Sequence, residues 1–389
     1  MKNNNIYNSV SINQCVGCGT CESLCPKNCI HLEKGYKGFL YPVVKEGTCV
    51  DCGACTNKCP VLRSVEQFPP KNIYAAKVKD VTLLSKCTSG GIFSALAISV
   101  LNGGGVVCGA CWTESFEVEH KCIYEVKDLP LLQGSKYVQS RANTCFAEIK
   151  NKLSNKYTVL FSGTGCQIAG LKLYLGETYS NLITIELVCH GVPSPGLFNT
   201  YVKWLENRIN VPISKFCFRS KHRRPTGEHC DFYYYSNSDC FIGKAYSDPY
   251  YGSFLKGTTL RPSCYNCKYK GEHRVADFTI GDFWGIEKFH KPIHSGKGIS
   301  LVMINSERAH EIFDGIKDEI DFVEAKWNEV ISCNTTIVES VKAVPLEYDI
   351  NSPTLFTKDL KIHLSFRNIL KQYIPWQCKY YLKKILSWI

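Results

Sequence analysis

The sequence predicts a protein of mixed α/β and α+β class, with a small cysteine-rich module, a mainly α/β core and an appended strand-rich lobe. Three observations support this prediction. Two short cysteine runs lie within the first 62 residues. Short apolar strand-like segments then alternate with helical ones from residue 73 to residue 207, which is typical of an α/β core. After Pro212 most segments favour strands.

The cysteine runs repeat the spacing C-x2-C-x2-C-x3-C-P, which is the bacterial ferredoxin pattern for two 4Fe-4S clusters. Three cysteines of a run hold one cluster and the fourth reaches across to the other. A zinc ribbon would leave cysteines over, and a disulfide framework is unusual in so long a chain. Cys29 is interpreted as a packing residue. The predicted ligand sets are Cys15, Cys18, Cys21 and Cys59 for one cluster, and Cys49, Cys52, Cys55 and Cys25 for the other.

The order of elements divides the chain into four parts: a two-cluster domain over 1–62, a linker over 63–72 containing Pro69-Pro70, a core over 73–305, and a helical region with a basic aromatic tail over 306–389. Core strands are predicted at 73–79, 105–112, 116–124, 157–162 and 182–188, and core helices at 91–101, 143–153, 167–175 and 195–207. Strands of the appended lobe are expected at 213–219, 230–236, 276–281 and 298–305, with helices at 306–317 and in the tail.

Composition sets the broad class. The 389 residues are 44% hydrophobic and 21% charged, as in an ordinary globular protein. The chain has 23 cysteines and a polar N-terminus without a signal peptide, so we expect the reducing cytoplasm and exclude a secreted protein. Nothing in the sequence resembles a nucleic-acid-binding motif.

The formal charge of +11 is concentrated in two places. One is the basic run from Lys215 to Arg224, which is either a solvated loop or a contact for a phosphate-bearing cofactor or an acidic redox partner. The other is the tail from Lys371 to Ile389, where lysines alternate with aromatic and aliphatic residues. That tail is either a helix docked on its own domain or an amphipathic helix on the inner surface of the membrane.

A segment from Lys86 to Gly91 precedes an apolar helix and includes Ser89 and Gly90. Glycines and a hydroxyl at a helix N-terminus can bind an anion, because free backbone amides point outward there. A flavin or nucleotide phosphate is therefore one interpretation, and ordinary capping by Ser89 is the other.

Four further cysteines follow predicted strands or a turn. Gly163, Thr164 and Cys166 come directly after the strand at 157–162, and Cys189 follows the next strand. Strand ends are where α/β sheets place ligands. The pair Cys264-x2-Cys267 is half a zinc knuckle, a redox pair or half a cluster site, while Cys166 and Cys189 alone would be small buried hydrophobes.

Taken together, these motifs resemble the coenzyme F420 hydrogenase/dehydrogenase beta-subunit family over roughly residues 73–305. The fused two-cluster module and the basic tail resemble its bacterial branch associated with surface-polysaccharide synthesis. The chain departs from the family pattern at Gly165, where a proline usually precedes the motif cysteine, and this is expected to loosen the turn. The motifs are TSGGIF from Thr88, GSKYV from Gly134, GTGCQIAGL from Gly163, CHGVPS from Cys189, RPSCYNC from Arg261 and DFTIGDFWG from Asp277.

The resemblance implies an iron–sulfur flavoprotein with 4Fe-4S clusters and FAD, and some members of the family act on coenzyme F420. Carried over to this sequence, it implies that Ser89, Gly90 and Gly91 approach the flavin phosphates, together with Lys136 and Thr164. Lys86 and Gly163 are counted with this cofactor site. Cys166, Cys189, Cys264 and Cys267 would hold a third cluster.

The leading functional prediction is a reductase that takes electrons from a ferredoxin or another redox protein and delivers them through FAD to an organic substrate or a deazaflavin cofactor. His190 and Asp282 are its candidate catalytic proton donors, and a structural role is the alternative for each. The rival prediction is a non-catalytic electron-transfer subunit or an accessory protein that serves a polysaccharide-modifying enzyme.

Overall fold

The computed structural model describes residues 5–219, 221, 231–236, 239–290, 293, 297–362 and 378. Its helices are α1 (Ile6–Ser9), α2 (Thr20–Leu24), α3 (Ala54–Asn57), α4 (Val81–Lys86), α5 (Ile92–Asn102), α6 (Leu129–Leu132), α7 (Phe146–Ser154), α8 (Gly165–Leu175), α9 (Pro195–Ile209), α10 (Pro249–Lys256), α11 (Glu307–Asp314) and α12 (Trp327–Cys333). Its strands are β1 (Ile30–Lys34), β2 (Leu40–Val44), β3 (Asn72–Val78), β4 (Val106–Trp112), β5 (Val118–Ile123), β6 (Ser140–Arg141), β7 (Val159–Thr164), β8 (Leu182–Leu187), β9 (Lys215–Cys217), β10 (Asp231–Ser236), β11 (Asp239–Lys244), β12 (Phe278–Asp282), β13 (Ser300–Ile304) and β14 (Ile320–Glu324).

The N-terminal module consists of the antiparallel pair β1–β2 and two short helices, α2 and α3, that begin inside the two cysteine runs. Gly19 and Gly53 precede these helices in the left-handed conformation, with φ of 80° and 73°. A residue with a Cβ rarely adopts this conformation, so the glycines let each run turn sharply between its cysteines.

Nine strands of the described chain form one mixed sheet in the order β14-β3-β13-β12-β8-β7-β4-β5-β6. Its centre is buried on both faces, because Leu160 of β7 packs into one hydrophobic cluster and Phe161 packs into another. The first cluster includes residues of α5 and α11, and the second includes residues of α7 and α8. Helices therefore cover both sides, as strands that are apolar on both faces require.

A second sheet of three strands, in the order β11-β10-β9, lies on an aromatic cluster with α9 and α10. Phe198 of α9 stacks against Trp112 at 5.2 Å and meets Phe216 edge-on at 5.2 Å. This sheet is the appended strand-rich lobe.

The predicted fold class is confirmed, and every predicted strand and helix of the core up to residue 207 is present with small shifts at its ends. Two strands expected in the lobe are placed differently. Both β12 and β13 belong to the large sheet, where β12 pairs in parallel with β8 and antiparallel with β13. Both strands are apolar and mostly buried, so the core sheet is where their side chains can be covered. The helix predicted in the tail lies outside the described residues except for Cys378.

Within the residues that the structure describes, no helix is long and apolar enough to span a membrane.

Candidate functional site

The four cysteines predicted for one cluster converge on a single hollow. We call Cys15, Cys18, Cys21 and Cys59 the inner set. All four line one hollow, whose walls also include the apolar residues Ile6, Leu32 and Val61. Cys59 of the second run therefore lies with three cysteines of the first run, which is the grouping that the spacing predicts for one of the two clusters.

The other four cysteines, Cys25, Cys49, Cys52 and Cys55, form what we call the outer set. Cys55 is buried, whereas Cys52 is exposed at the surface of the module. Cys29 is 2% exposed, with its sulfur 3.3 Å from that of Cys25, and it also interacts with Cys49. It therefore packs between members of the outer set that come from different runs.

The third set consists of Cys166, Cys189, Cys264 and Cys267, and the fold brings these four residues together. Cys166 is the second residue of α8, Cys189 follows β8, and the other two lie in and after a single 3-10 turn. The thiol of Cys166 is close enough to interact electrostatically with the other three. All four residues keep some exposed surface.

The chemistry of the third set fits a metal cluster. Burial raises the pKa of Cys166 well above its ordinary value, and the neighbouring thiols raise it further. Burial likewise raises the pKa of Cys264 to about 12. Such groups stay protonated at neutral pH unless a cation compensates them, and metal coordination deprotonates a thiol outright. A group of four thiols is therefore better explained as a set of iron ligands than as part of a hydrophobic core without metal.

The register of the large sheet places the other candidate residues along one edge, the edge at which β7, β8 and β12 end. Thr164 of β7 lies opposite Leu187 of β8, Asp282 of β12 lies opposite Ser300 of β13, and Ser300 lies opposite Ala76 of β3. Because β7, β8 and β12 run parallel, their carboxyl ends share this edge. These residues form a row along the edge. One end of the row lies at the third set, and the other end lies at the loop between α4 and α5.

The loop before α5 packs tightly on the sheet. Ser89 Oγ donates to the Ile299 carbonyl oxygen at 3.0 Å, and the Gly90 amide donates to Ser300 Oγ at 2.9 Å. A Cβ on Gly90 would lie 2.3 Å from the Ala76 carbonyl oxygen. The helix cap is Gly91, with φ of 87° and no side-chain cap, so the alternative that Ser89 caps this helix is wrong. The first amides of α5 are left without a side-chain acceptor.

Two lysines lie near this loop. Lys221 Nζ donates to the carbonyl oxygens of Leu84 and Ser89 at 2.9 and 2.7 Å. Lys136 Nζ donates to backbone carbonyls, at 3.0 Å for Gln133, and the adjacent Ser135 hydroxyl lies 3.4 Å from Thr88 Oγ1. Burial lowers the pKa of each lysine to about 8. Partly buried positive charge near uncapped helix amides suits an anion such as a phosphate.

Asp282 is engaged by Arg219. The guanidinium nitrogens lie 2.6 and 3.0 Å from the two carboxylate oxygens, and the Arg219 and Asp282 side chains are 5% and 15% exposed. A bidentate pair of this kind fixes geometry more than it moves protons. Asp282 thus holds Arg219 at the edge of the sheet, and Arg219 also reaches the Tyr137 hydroxyl at 3.5 Å.

His190 is held by the backbone. Its Nε2 lies 3.1 Å from the Phe254 carbonyl oxygen, which requires the proton on that nitrogen, and its ring meets Phe254 edge-on. Burial lowers the pKa of His190, so the imidazole is neutral at pH 7. These contacts are those expected of a structural histidine.

Three residues predicted for the cofactor site are placed differently. Lys86 ends α4 directly before the loop, and its side chain is exposed. Thr164 caps α8 and its Oγ1 lies 3.1 Å from Cys166 Sγ, so Thr164 and its neighbour Gly163 belong with the third set. The capping box of α8, with Gln167 as its other member, also holds the turn that Gly165 was expected to loosen.

The sequence named Arg219 and Lys221 only as members of the basic run from Lys215. It did not single out Arg261 and Tyr269, which interact with residues of the inner set. A solvated loop, which was one interpretation of that run, is wrong for Arg219, since its side chain is buried. Arg223 and Arg224 lie outside the described residues.

Another cysteine group lies in the core. Cys108 and Cys122 face each other across β4 and β5 and form a disulfide, and Cys145 lies within 4.8 Å of both sulfurs. All three residues are buried.

A ferredoxin-type module on an α/β core with a further thiol site defines an iron–sulfur electron-transfer protein of the oxidoreductase type. Residues 14–62 match the 4Fe-4S dicluster domain. Residues 157–330 match the family model described as the C terminus of the beta subunit of coenzyme F420 hydrogenase/dehydrogenase. This confirms the resemblance seen in the sequence, while the motifs at Thr88 and Gly134 lie outside the matched residues.

Among solved structures, a chain of the F420-reducing [NiFe] hydrogenase complex from Methanosarcina barkeri is similar to this chain. The two share 17% sequence identity over 66% of this chain and 82% of the other, with a TM-score of 0.46. No curated protein matches the chain.

Proposed function

We propose that the chain is a flavin-dependent iron–sulfur reductase. Electrons from a ferredoxin-like donor would enter at the N-terminal module, pass to the third set and leave through FAD to an organic substrate or a deazaflavin cofactor such as coenzyme F420. One observation supports this order above the others: the third set and the basic loop before α5 share the carboxyl edge of one sheet. The reaction would take place in the cytoplasm.

The residues around that loop fit the phosphates of FAD. Gly91 leaves the first amides of α5 uncapped, and Lys221 and Lys136 supply positive charge from partly buried positions. Bound flavin would supply the conversion between one-electron and two-electron chemistry. The protein's own part is to anchor the phosphates, orient the cofactor and keep water from it.

One observation favours a second candidate, a relay subunit without a reaction of its own. His190 is bonded to the backbone and Asp282 to Arg219, so both predicted proton donors already have structural partners. In that case the electrons would pass to a partner enzyme. A partner that modifies polysaccharide, and a membrane contact through the tail, stay predictions from the sequence.

The experiment is anaerobic purification followed by analysis of iron, sulfide and flavin released on denaturation. We expect about three clusters per chain and bound FAD. Protein without flavin would overturn the reductase and leave the relay subunit standing.

The third cluster has its own test. Cys264→Ser should lose about one third of the iron, because a serine oxygen replaces a soft thiolate ligand. Cys240→Ser is the matched control, since Cys240 is exposed and lies outside all three sets. Equal iron in Cys264→Ser and the wild-type protein would contradict the assignment.

A further inference from the structure

We propose that the inner set is the exit of the N-terminal module, passing electrons directly to the third set across an interface fixed by Arg261, while the outer set is the entry. This inference rests on the proposed function, because it takes the third set to hold a cluster. Each step moves one electron: the giving cluster is oxidised by one and the receiving cluster is reduced by one. A low-potential ferredoxin-type donor supplies the electrons at the outer set.

The helix that begins at the third set lies directly on the inner set. α8 carries Cys166 at its start and Gly170 one turn later. A Cβ on Gly170 would lie 2.9 Å from Cys18 Cβ, 3.1 Å from Cys18 Sγ and 2.7 Å from Thr20 Oγ1. Only a glycine lets the helix approach the inner set this closely.

Tyr269 lies between the inner set and the third set. Its phenol, 8% exposed, interacts electrostatically with Cys18 and Cys59 of the inner set and with Cys166 and Cys267 of the third set. Its backbone amide points at Cys267 Sγ, 3.4 Å away, and its hydroxyl donates to the Pro60 carbonyl oxygen at 3.4 Å. A single buried ring therefore lies between the two thiol groups.

Arg261 joins the module to the core three residues before Cys264. Its Nε donates to the Cys15 carbonyl oxygen at 2.7 Å, and its Nη2 donates to the Leu40 carbonyl oxygen at 3.0 Å. From the other side, Nη1 donates to Gln139 Oε1 at 3.0 Å. The side chain is 1% exposed, and its guanidinium lies 4.3 Å from the centre of the Tyr41 ring. A planar guanidinium that donates three directed hydrogen bonds can hold the module in place on the core, so Arg261 acts as a positioning residue.

The outer set differs from the inner set because part of it is exposed at the surface of the module. Cys52 is exposed, and the neighbouring Val50 is 57% exposed. The contacts that join the module to α8 and to residues 261–269 involve the inner set, residues beside it, or β2. A docking donor therefore meets the outer set first.

The test uses electron paramagnetic resonance of the fully reduced full-length protein, in which neighbouring reduced clusters split each other's signals. The third cluster should show splitting that is lost in Cys18→Ser and kept in Cys52→Ser, the matched removal of the outer cluster. Splitting that is lost in Cys52→Ser and kept in Cys18→Ser would overturn the proposal. A third cluster that is present but unsplit in the wild-type protein would also overturn it. If Cys264→Ser loses no iron, the proposed function fails instead, so the two failures are distinct.

Two variants keep all twelve predicted ligands and change only the interface. Gly170→Ala should weaken the splitting at unchanged iron content, because the added methyl meets Cys18, whereas Gly103→Ala should not, since its Cβ would have only ordinary contacts at 3.5 Å or more. Arg261→Gln should weaken the splitting too, with partial recovery in Arg261→Lys. Splitting that is unchanged in both Gly170→Ala and Arg261→Gln would overturn the role of the interface.

Discussion

At the scale of single residues, the most consequential feature is the placement of positive charge at partly buried positions. Lys136 and Lys221 lie near the loop before α5, with burial holding the pKa of each at about 8. Both ammonium groups bond to neutral backbone carbonyls, and a partly buried charge without a counter-charge costs free energy unless an anion compensates it. The two lysines are thus prepared for a negatively charged ligand.

This arrangement predicts pH-dependent FAD binding by flavin-free protein. Both lysines are charged below about pH 8 and lose their charge above it. Affinity for the phosphates should therefore be higher at pH 7 than at pH 9, and binding should take up protons. Lys221→Met should weaken binding at pH 7 by about tenfold or more, since a hydrogen bond to a charged group contributes about 1.5–3 kcal/mol. Quenching of flavin fluorescence measures both effects.

Lys86→Met is the matched control, because Lys86 precedes the same loop but has an exposed side chain. We expect its affinity to equal that of the wild-type protein. Equal losses in Lys86→Met and Lys221→Met would contradict the assignment of the anion site to the buried lysine.

A buried ion pair supports the turn that carries Cys166. Arg274 Nη2 lies 2.6 Å from Glu186 Oε1, and both side chains are 2% exposed. Glu186→Gln leaves the guanidinium charge buried without a counter-charge and should lower the free energy of unfolding by about 3–5 kcal/mol. Chemical denaturation measures the loss.

Glu125→Gln serves as the comparison, since Glu125 forms an exposed ion pair with Lys127. Its unfolding midpoint should stay close to that of the wild-type protein, because exposed pairs contribute little. A Glu186→Gln variant as stable as Glu125→Gln would show that the buried pair does not support this part of the sheet.

At the scale of elements, local patterns predicted the strands and helices but not their neighbours. The apolar run of β12 is visible in the sequence. No local feature of the sequence, however, indicates that this strand pairs with β8, about 90 residues earlier. The cysteine spacing within the runs predicted the inner and outer sets, because each run forms a tight turn. Arg261 begins the motif RPSCYNC, but its contacts are with residues far apart in sequence, so nothing in that motif indicates its role.

The N-terminus of α8 offers a test of how tightly this element is held. A Cβ on Gly165 would lie 2.5 Å from Glu186 Oε1 and 2.8 Å from Tyr269 Cβ. Gly165→Ala should therefore lower the free energy of unfolding by about 1–3 kcal/mol, as overpacking does, although alanine favours helices. Gly103→Ala is the control, and urea unfolding is the measurement. A Gly165→Ala variant more stable than Gly103→Ala would contradict the close packing.

At the scale of the whole molecule, the two parts of the chain have different sources of stability. The core is built on large clusters of aliphatic and aromatic residues. The buried cluster of the N-terminal module consists of Ile6, Ile30 and the cysteines Cys21, Cys29, Cys55 and Cys59. So small an apolar core cannot offset the entropy of ordering the module, and metal ligation has to contribute.

We therefore expect the N-terminal module to need bound iron to stay folded, and the core to stay folded without it. Anaerobic treatment of the full-length protein with an iron chelator should remove hydrogen-exchange protection from β1 and β2, while β7 and β8 keep theirs. The reason is that the inner set without iron leaves its hollow unfilled, whereas the core sheet is packed from both faces. Protein incubated without chelator is the control. Protection of β1 and β2 that survives complete loss of iron would mean that docking through Arg261 and its neighbours suffices to hold the module folded.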